Sequence, residues 1–368
     1  MKIAQISHCY KPVVGGQEVY IEALQGVLSK AGISSKIFQS DKGVKDDDVF
    51  NVLRLKGLPR LIHGVEQHCF DFFLRKFHQK KIDEYDLTIA HYALHARGQR
   101  HRKDRTIVLS HGVEWHTENQ TWDDRRREAA ARECLEDFPH VVNDTHYLRH
   151  FGLDAVPGER CFEEVFPNKW FIPNCVDPIR FSPGKGHPSL VGKKVILVPR
   201  QLTPDRGIHL AIQAFRHVLD ADPDVHLCLL GNRKKENPYL RSLDELIKDL
   251  GLKDRAYFAP GVSNQEIPEW YNGSELTLIP TLRREGTSLS ALESMSCGVA
   301  TVSTNVAGLA DLPTVQANPN GEDLAAAILD TLKNRAEIAS GQRAKVNSVF
   351  NLENWSSAWL NVVSSIAG

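Results

Sequence analysis

The chain has 368 residues, more than one ordinary core accommodates, and predicts two domains of roughly 150 to 190 residues each. With 42% hydrophobic and 25% charged residues it is a globular protein rather than a disordered or fibrous one. A net charge of −1 gives no general pull toward nucleic acid or membrane, and nucleic acid is not an expected partner.

The opening MKIAQISHCYKP lacks the apolar segment and cleavage site of a signal peptide, and no run of about eighteen apolar residues occurs. A cytoplasmic protein is therefore expected. Cysteines stand at 9, 69, 134, 161, 175, 228 and 297 without a CxxC pair, and read as reduced small apolar residues. Neither a metal nor a cofactor is expected.

In chain order, an apolar strand over Lys2–Ser7 leads through the loop HCYKPVVGGQE to a helix from about Gln17 to Lys30 and a strand over Ser35–Gln39. Strands follow at Leu87–Ala90, Thr106–Ser110 and His140–Asn143, with a helix at Trp122–Leu135 between the last two. Such alternation predicts a parallel sheet covered on both faces. Residues 171–193, dense in Pro, Gly, Asn and Ser, read as the interdomain crossing.

Alternation then resumes with strands at Lys194–Pro199, Val225–Leu230, Arg255–Phe258, Glu275–Ile279 and Val299–Ser303. The helices between them are Gly207–Leu219, Pro238–Leu250 and Asn264–Tyr271, and a short one ends at Gly298. The fold class is α/β, two doubly wound Rossmann-like domains facing a cleft, with ligands at the carboxyl ends of the strands. Domain boundaries are expected at 1–175, joined by a C-terminal helix of about 351–368, and at 190–350. The stripe Leu352, Trp355, Trp359, Val362 and Val363 gives that helix one apolar face.

Three stretches carry candidate chemistry. Gly15 and Gly16 follow the first strand at a helix entrance, where backbone N–H groups suit a phosphate, although a tight turn explains the pair equally simply. In VPRQLTPDRG, Arg200 ends a strand and Arg206 precedes a helix; paired guanidiniums there suit a diphosphate, and a cation at a helix N-terminus is unfavourable without an anion nearby. In RREGTSLSALESMSCG, Glu285 lies in the loop after a strand. Glu293 lies in the following helix, where Ser290 and Glu293 have capping-box spacing. The acidic runs DADPD at 220–224 and DDD at 46–48 read as solvated turns rather than metal sites.

Taken together, EGTSLSALE with its E-x7-E spacing, PRQLTPDRG, the Gly-Gly loop and IPNCVDPIRFSP resemble a retaining nucleotide-sugar glycosyltransferase of glycosyltransferase family 4, with the GT-B fold. The resemblance runs in order over nearly the whole chain. It implies that Gly15 and Gly16 approach the donor's phosphates and that Arg200 and Arg206 hold the diphosphate, Arg206 standing where the family usually has lysine. It further implies that Glu285 binds hydroxyls of the transferred sugar and Glu293 those of the ribose, with His111 near the reacting sugar. Gly286, Thr287, Ser288 and Leu289 would offer backbone N–H groups at the helix start. The family commonly reads E-G-F-G-x-P, so Thr287, Ser288 and Ser290 depart from it.

The implied reaction is metal-independent transfer with retention from a nucleoside-diphosphate sugar, a UDP-sugar first and a GDP-sugar second. The acceptor is a sugar, a lipid-linked sugar or a small molecule, in polysaccharide or glycoside synthesis. A basic, Phe-rich stretch at 54–81 suggests peripheral membrane contact through the N-terminal domain, against the alternative of a helix packed on the sheet with a solvated basic edge. Other readings are an epimerase or phosphorylase of the same fold and a non-catalytic two-domain sugar-binding protein.

Overall fold

The structure, a computed structural model, describes every residue except 14, 55–64, 155–160, 234–236, 260–261 and 264. It divides into two units, Met1–Pro173 with Trp355–Gly368, and Asn174–Asn354. Part of the basic stretch at 54–81 and the expected helix start at 264 lie outside the described residues.

The first unit contains β1 (Lys2–Ile6), α1 (Gly16–Lys30), β2 (Ser34–Ser40), β3 (Val49–Val52), α2 (Val65–Phe73), α3 (Gln79–Ile82), β4 (Leu87–Ala90) and α4 (Ala93–Ala96). Next come β5 (Thr106–Ser110), α5 (Trp122–Asp137), β6 (His140–Val142), α6 (Thr145–His150), β7 (Glu163–Phe166) and β8 (Lys169–Phe171). Its sheet has the order β3-β2-β1-β4-β5-β6-β8-β7, parallel except for the β7–β8 hairpin. From β1 the chain builds outward through β2 and β3, then returns to β1's other side at β4. The carboxyl ends of β1 and β4 therefore flank a topological switch point.

α1 buries Tyr20, Ile21, Leu24, Val27 and Leu28, a helical i, i+4, i+7 stripe against the sheet. α2 buries Phe70, and Leu74 follows it into the core, whereas Phe72 and Phe77 stay exposed. Among the described residues no helix is long and apolar enough to cross a membrane.

In the second unit lie β9 (Lys194–Val198), α7 (Ile208–Ala221), β10 (Val225–Leu229), α8 (Pro238–Asp249), β11 (Ala256–Phe258), α9 (Ile267–Asn272) and β12 (Leu276–Ile279). It continues with α10 (Leu289–Ser296), β13 (Thr301–Thr304), β14 (Val315–Ala317), α11 (Gly321–Lys333) and α12 (Arg335–Val349). The sheet order is β11-β10-β9-β12-β13-β14, with a switch point between β9 and β12. α13 (Leu352–Ala367) begins at the end of this unit, and from Trp355 onward it counts with the first. There the indole of Trp359 donates to the Tyr20 hydroxyl over 2.8 Å, and Trp355 lies edge-on to the same ring.

The crossing at 171–193 is irregular except for the last residue of β8 and a 3-10 turn at Pro188–Leu190. DADPD joins α7 to β10 at the amino end of that strand. In DDD, Asp46 pairs with Lys11 of the first loop and accepts the Asp48 N–H.

The turn between β9 and α7 depends on Gly207. Its φ is +67°, the left-handed region, and a Cβ there would stand 1.8 Å from the Pro280 carbonyl oxygen. We expect Gly207→Ala to lower unfolding stability by at least about 2 kcal/mol, since left-handed backbone alone costs an L-residue roughly 1–2 kcal/mol and the clash adds to it. Chemical denaturation followed by circular dichroism checks this, and an unchanged midpoint would contradict the tight packing described.

Candidate functional site

At the second unit's switch point, β9 delivers Arg200 and β12 delivers Thr281 and the loop that carries Glu285. Arg200 is 8% exposed and Glu285 10%. The Glu285 carboxylate accepts from Arg200 and from Arg206, and both ion pairs converge on the same oxygen, Oε2. Arg200 also donates to Thr281 Oγ1 over 3.0 Å and Ser288 Oγ over 3.3 Å. Arg206 donates to the Arg284 carbonyl over 2.9 Å, and Arg284 pairs with Asp205 over 2.8 Å.

These contacts fix the arginines electrostatically as well as sterically. Burial pushes the Glu285 carboxyl up, but Arg200, Arg206 and Thr281 outweigh it and hold the group below the ordinary carboxylate range. Burial, together with Arg200, draws Arg206 below its ordinary value despite Glu285, and a guanidinium remains charged at any physiological pH. One carboxylate thus faces two cations, Arg200 buried and Arg206 partly exposed. Arg200 Nε is buried with no hydrogen-bond partner, a donor left for an anion.

The expected capping box at Ser290 and Glu293 does not form. α10 starts at Leu289 with Ser288 as its N-cap, and no side-chain cap bond is made. Glu293 instead accepts from the Tyr271 hydroxyl over 2.8 Å. Burial, opposed by Tyr271 and Arg180, holds its carboxyl above the ordinary value. Ser288 turns its hydroxyl to Arg200 rather than to the helix, and Thr287 accepts the Asn174 N–H over 2.7 Å. The hydroxyls that depart from the family pattern are therefore bound to protein partners. Gly286 and Leu289 flank them at the helix entrance.

Gly15, Gly16 and His111 belong to the first unit. Gly15 is the N-cap of α1 and Gly16 its first residue. The Gly15 N–H donates to Glu18 Oε2 over 2.9 Å, so a carboxylate already covers one of the N–H groups that the sequence offered to a phosphate. His111 follows β5, edge-on to Tyr20 with ring centroids 5.1 Å apart and stacked on His91. Its Nε2 lies 3.4 Å from His91 Nδ1, and His91 Nε2 lies 2.8 Å from Gln5 Oε1. Gln5 Nε2 faces the oxygens of Gln25 and Ser35, which orients its amide. The network therefore assigns the His91 proton to Nε2 and has His111 Nε2–H donate to His91. Burial pushes His111 down to about 3, so it is neutral.

Sequence reasoning missed Thr281, Asp205, Arg284, Tyr271 and Asn174. Asp205 and Arg284 carried a signal in their adjacency to Arg206 and Glu285; the others show their role only when distant segments meet.

Residues 185–346 match the family model of glycosyl transferases group 1. Over 120 residues the chain is 31% identical to mannosylfructose-phosphate synthase of Agrobacterium fabrum, covering 32% of this chain and 26% of that enzyme. It thus spans about a quarter of the length of that relative. It is 25% identical to D-inositol 3-phosphate glycosyltransferase of Paenarthrobacter aurescens over 346 residues, covering 80% of this chain and 77% of the other. Sucrose-phosphate synthase of Thermosynechococcus elongatus superposes with a TM-score of 0.80 at 18% identity, over 99% of this chain and 98% of the other. HepE of Anabaena, solved with UDP and glucose, gives 0.76 at 18% over 99% and 100%. The fold is GT-B, and the family model and the relatives support the glycosyl transferases group 1 family.

Two outcomes follow from the charges. Glu285→Gln leaves the buried Arg200 guanidinium and the half-buried one of Arg206 uncompensated and is expected to cost about 3 kcal/mol; inorganic diphosphate in a denaturation series should restore part of that. The depressed Glu285 value means its contribution is full above the unfolded carboxyl value of about 4.3 and is lost as pH falls through the lower folded value. For His111, whose folded value is about 3, stability is full above about pH 6.5 and is lost as pH falls from there toward 3, because the unfolded state takes up the proton first. His111→Gln should flatten that limb by up to about 1.4 kcal/mol per pH unit, read from denaturation midpoints between pH 4 and 7.

Proposed function

We propose that this chain is a glycosyltransferase that moves a sugar from a nucleoside-diphosphate sugar to a hydroxyl acceptor, with retention and without a metal. The observation that carries the reading is the pair of arginines at the second unit's switch point, Arg200 buried and Arg206 partly buried, with one carboxylate between them and one buried N–H left over. Two cations and one anion carry a net positive charge, which a diphosphate complements in a place shielded from solvent.

In this reading Arg200 and Arg206 bind the diphosphate and stabilise its growing charge as the anomeric bond breaks. When the anion arrives, Glu285 exchanges its arginine contacts for hydroxyls of the transferred sugar. Glu293, kept more readily protonated than an ordinary carboxyl, takes the ribose hydroxyls. Backbone N–H groups of Gly286, Thr287, Ser288 and Leu289 at the α10 entrance meet the phosphate. The parts assigned to Gly15, Gly16 and His111, at the donor's phosphates and the reacting sugar, rest on the resemblance. A UDP-sugar donor is supported by the UDP in the Anabaena HepE structure. The names of the relatives point to a sugar, a cyclitol or one of their phosphates as acceptor.

The test is a panel of nucleotide sugars with candidate acceptors, with and without EDTA, following release of the nucleoside diphosphate. Turnover that survives EDTA is expected. Absence of binding to every sugar nucleotide sinks the reading, and dependence on a divalent ion sinks its metal-independent form. Glu285→Ala should reduce transfer by on the order of a hundredfold or more. Glu293→Ala should mainly raise the donor KM. Negligible effects from both would leave the loop a purely structural device.

A further inference from the structure

A chain of five side chains at the first unit's switch point takes no part in the reading above. His8 follows β1, His95 lies on α4 just after β4, Gln67 and Asp71 share α2, and Arg127 lies on α5. His8 Nδ1 is 3.2 Å from His95 Nε2, and His95 Nδ1 is 2.5 Å from Asp71 Oδ1. His8 Nε2 is 3.1 Å from Gln67 Nε2, and Arg127 donates to Gln67 Oε1 over 2.5 Å.

The arginine sets the direction of the whole chain. A guanidinium only donates, so the oxygen of Gln67 faces Arg127 and its NH2 group faces His8. His8 Nε2 must then accept, which places the His8 proton on Nδ1, pointing to His95 Nε2. The His95 proton accordingly sits on Nδ1 and goes to the Asp71 carboxylate. Every donor points toward Asp71, and both rings are satisfied while neutral. His95 is 2% exposed and Asp71 8%, so the inner end is locked, whereas His8 is only partly buried. Burial, followed by His95, Lys42 and Arg127, pushes His8 well below its ordinary value, and its Nε2 lone pair is therefore present at neutral pH.

We propose that His8 Nε2 is a hydroxyl-binding position for the acceptor substrate, which a sugar or polyol hydroxyl occupies by displacing the Gln67 amide. The proposal rests on the glycosyltransferase reading for the identity of the ligand as acceptor. The chemistry selects the group. Whatever replaces the amide must donate a hydrogen bond to a neutral nitrogen, which excludes carboxylates and fully ionised phosphates. An ammonium group would meet Lys42 and Arg127. A neutral hydroxyl satisfies both conditions, and the ring of Tyr92 lies 4.9 Å from that of His8. The location agrees, since ligands of doubly wound sheets bind outside the carboxyl ends of the strands at the switch point.

The experiment is nitrogen-15 NMR of the full chain labelled at histidine, with His8 assigned by the resonance lost in His8→Gln. In the free protein His8 should be protonated at Nδ1 and bare at Nε2; a proton on Nε2 overturns the proposal. Titration with glycerol, myo-inositol and D-glucose should move the His8 Nε2 resonance with at least one of them, whereas acetate should not. No movement with any polyol, or equal movement with acetate, overturns it. Gln67→Ala, which removes the competing amide, should lower the polyol concentration for half-effect by on the order of threefold to tenfold, the scale of one hydrogen bond; an unchanged midpoint refutes displacement. UDP added to the same sample reports separately on the second unit. If UDP fails to bind while the polyol shift persists, the glycosyltransferase reading falls and the hydroxyl site stands.

Discussion

The second unit is organised around one constraint, that a buried guanidinium with a second, half-buried one beside it needs an anion between them. Glu285 is that anion. Removing a charge from water costs several kcal/mol unless it is paired and its hydrogen bonds are satisfied, and much of the surrounding loop satisfies this condition. Thr281 and Ser288 accept from Arg200, the Arg284 carbonyl accepts from Arg206, and the Arg284–Asp205 pair ties the two loops together. Gly207 then lets the chain turn close enough to Pro280 for the two arginines to share one carboxylate oxygen. The result is a cluster whose guanidinium donors are held in place by the groups around them.

The two sheets share a topology and differ in how they use it. In each, strand order reverses beside the first strand, and the residues leaving the two flanking strands meet. In the second unit those residues are charged and compensate one another. In the first they are His8, His91 and His95, with His111 from the next strand, and burial acts against charge on His8, His91 and His111. Arg200, Arg206 and Glu285 keep their charges because each has an opposite partner. His91 and His111 are each hydrogen-bonded to neutral groups instead and lose theirs. The same position thus holds a cation-rich cluster on one sheet and a directional network of imidazoles on the other, running from the Arg127 guanidinium to the Asp71 carboxylate.

Much of this was legible in the sequence. β4 and β5 were read to the residue, because a strand covered on both faces is a bare apolar run between polar neighbours. β3 and β14 were missed: VFNV and VQA are short edge strands, partly exposed, whose few residues carry no period. The β7–β8 hairpin contains Pro167 and the left-handed Asn168, which read as loop. Arg200, Arg206 and Glu285 were singled out as candidates from their positions at strand ends, and the structure brings the three together, although the sharing of one carboxylate oxygen by both arginines was not foreseen. Glu293 misled for a local reason. Its spacing from Ser290 imitates a cap, while its actual partner, Tyr271, lies on another helix.

The departures at Thr287 and Ser288 acquire a structural sense from the same constraint. Where the family commonly carries Phe and Gly, this loop carries two hydroxyls, and each is consumed by protein. Ser288 faces Arg200 and helps to neutralise the directional demand of its donors. Thr287 accepts from Asn174, the first residue of the second unit, and so fastens this loop to the crossing that links the units. A loop pinned in this way presents its backbone N–H groups at a fixed place, but it gives up the hydroxyls as contacts for a ligand. What stays open to a ligand is then the backbone groups and the Glu285 carboxylate, whose position is set by the arginines it pairs with.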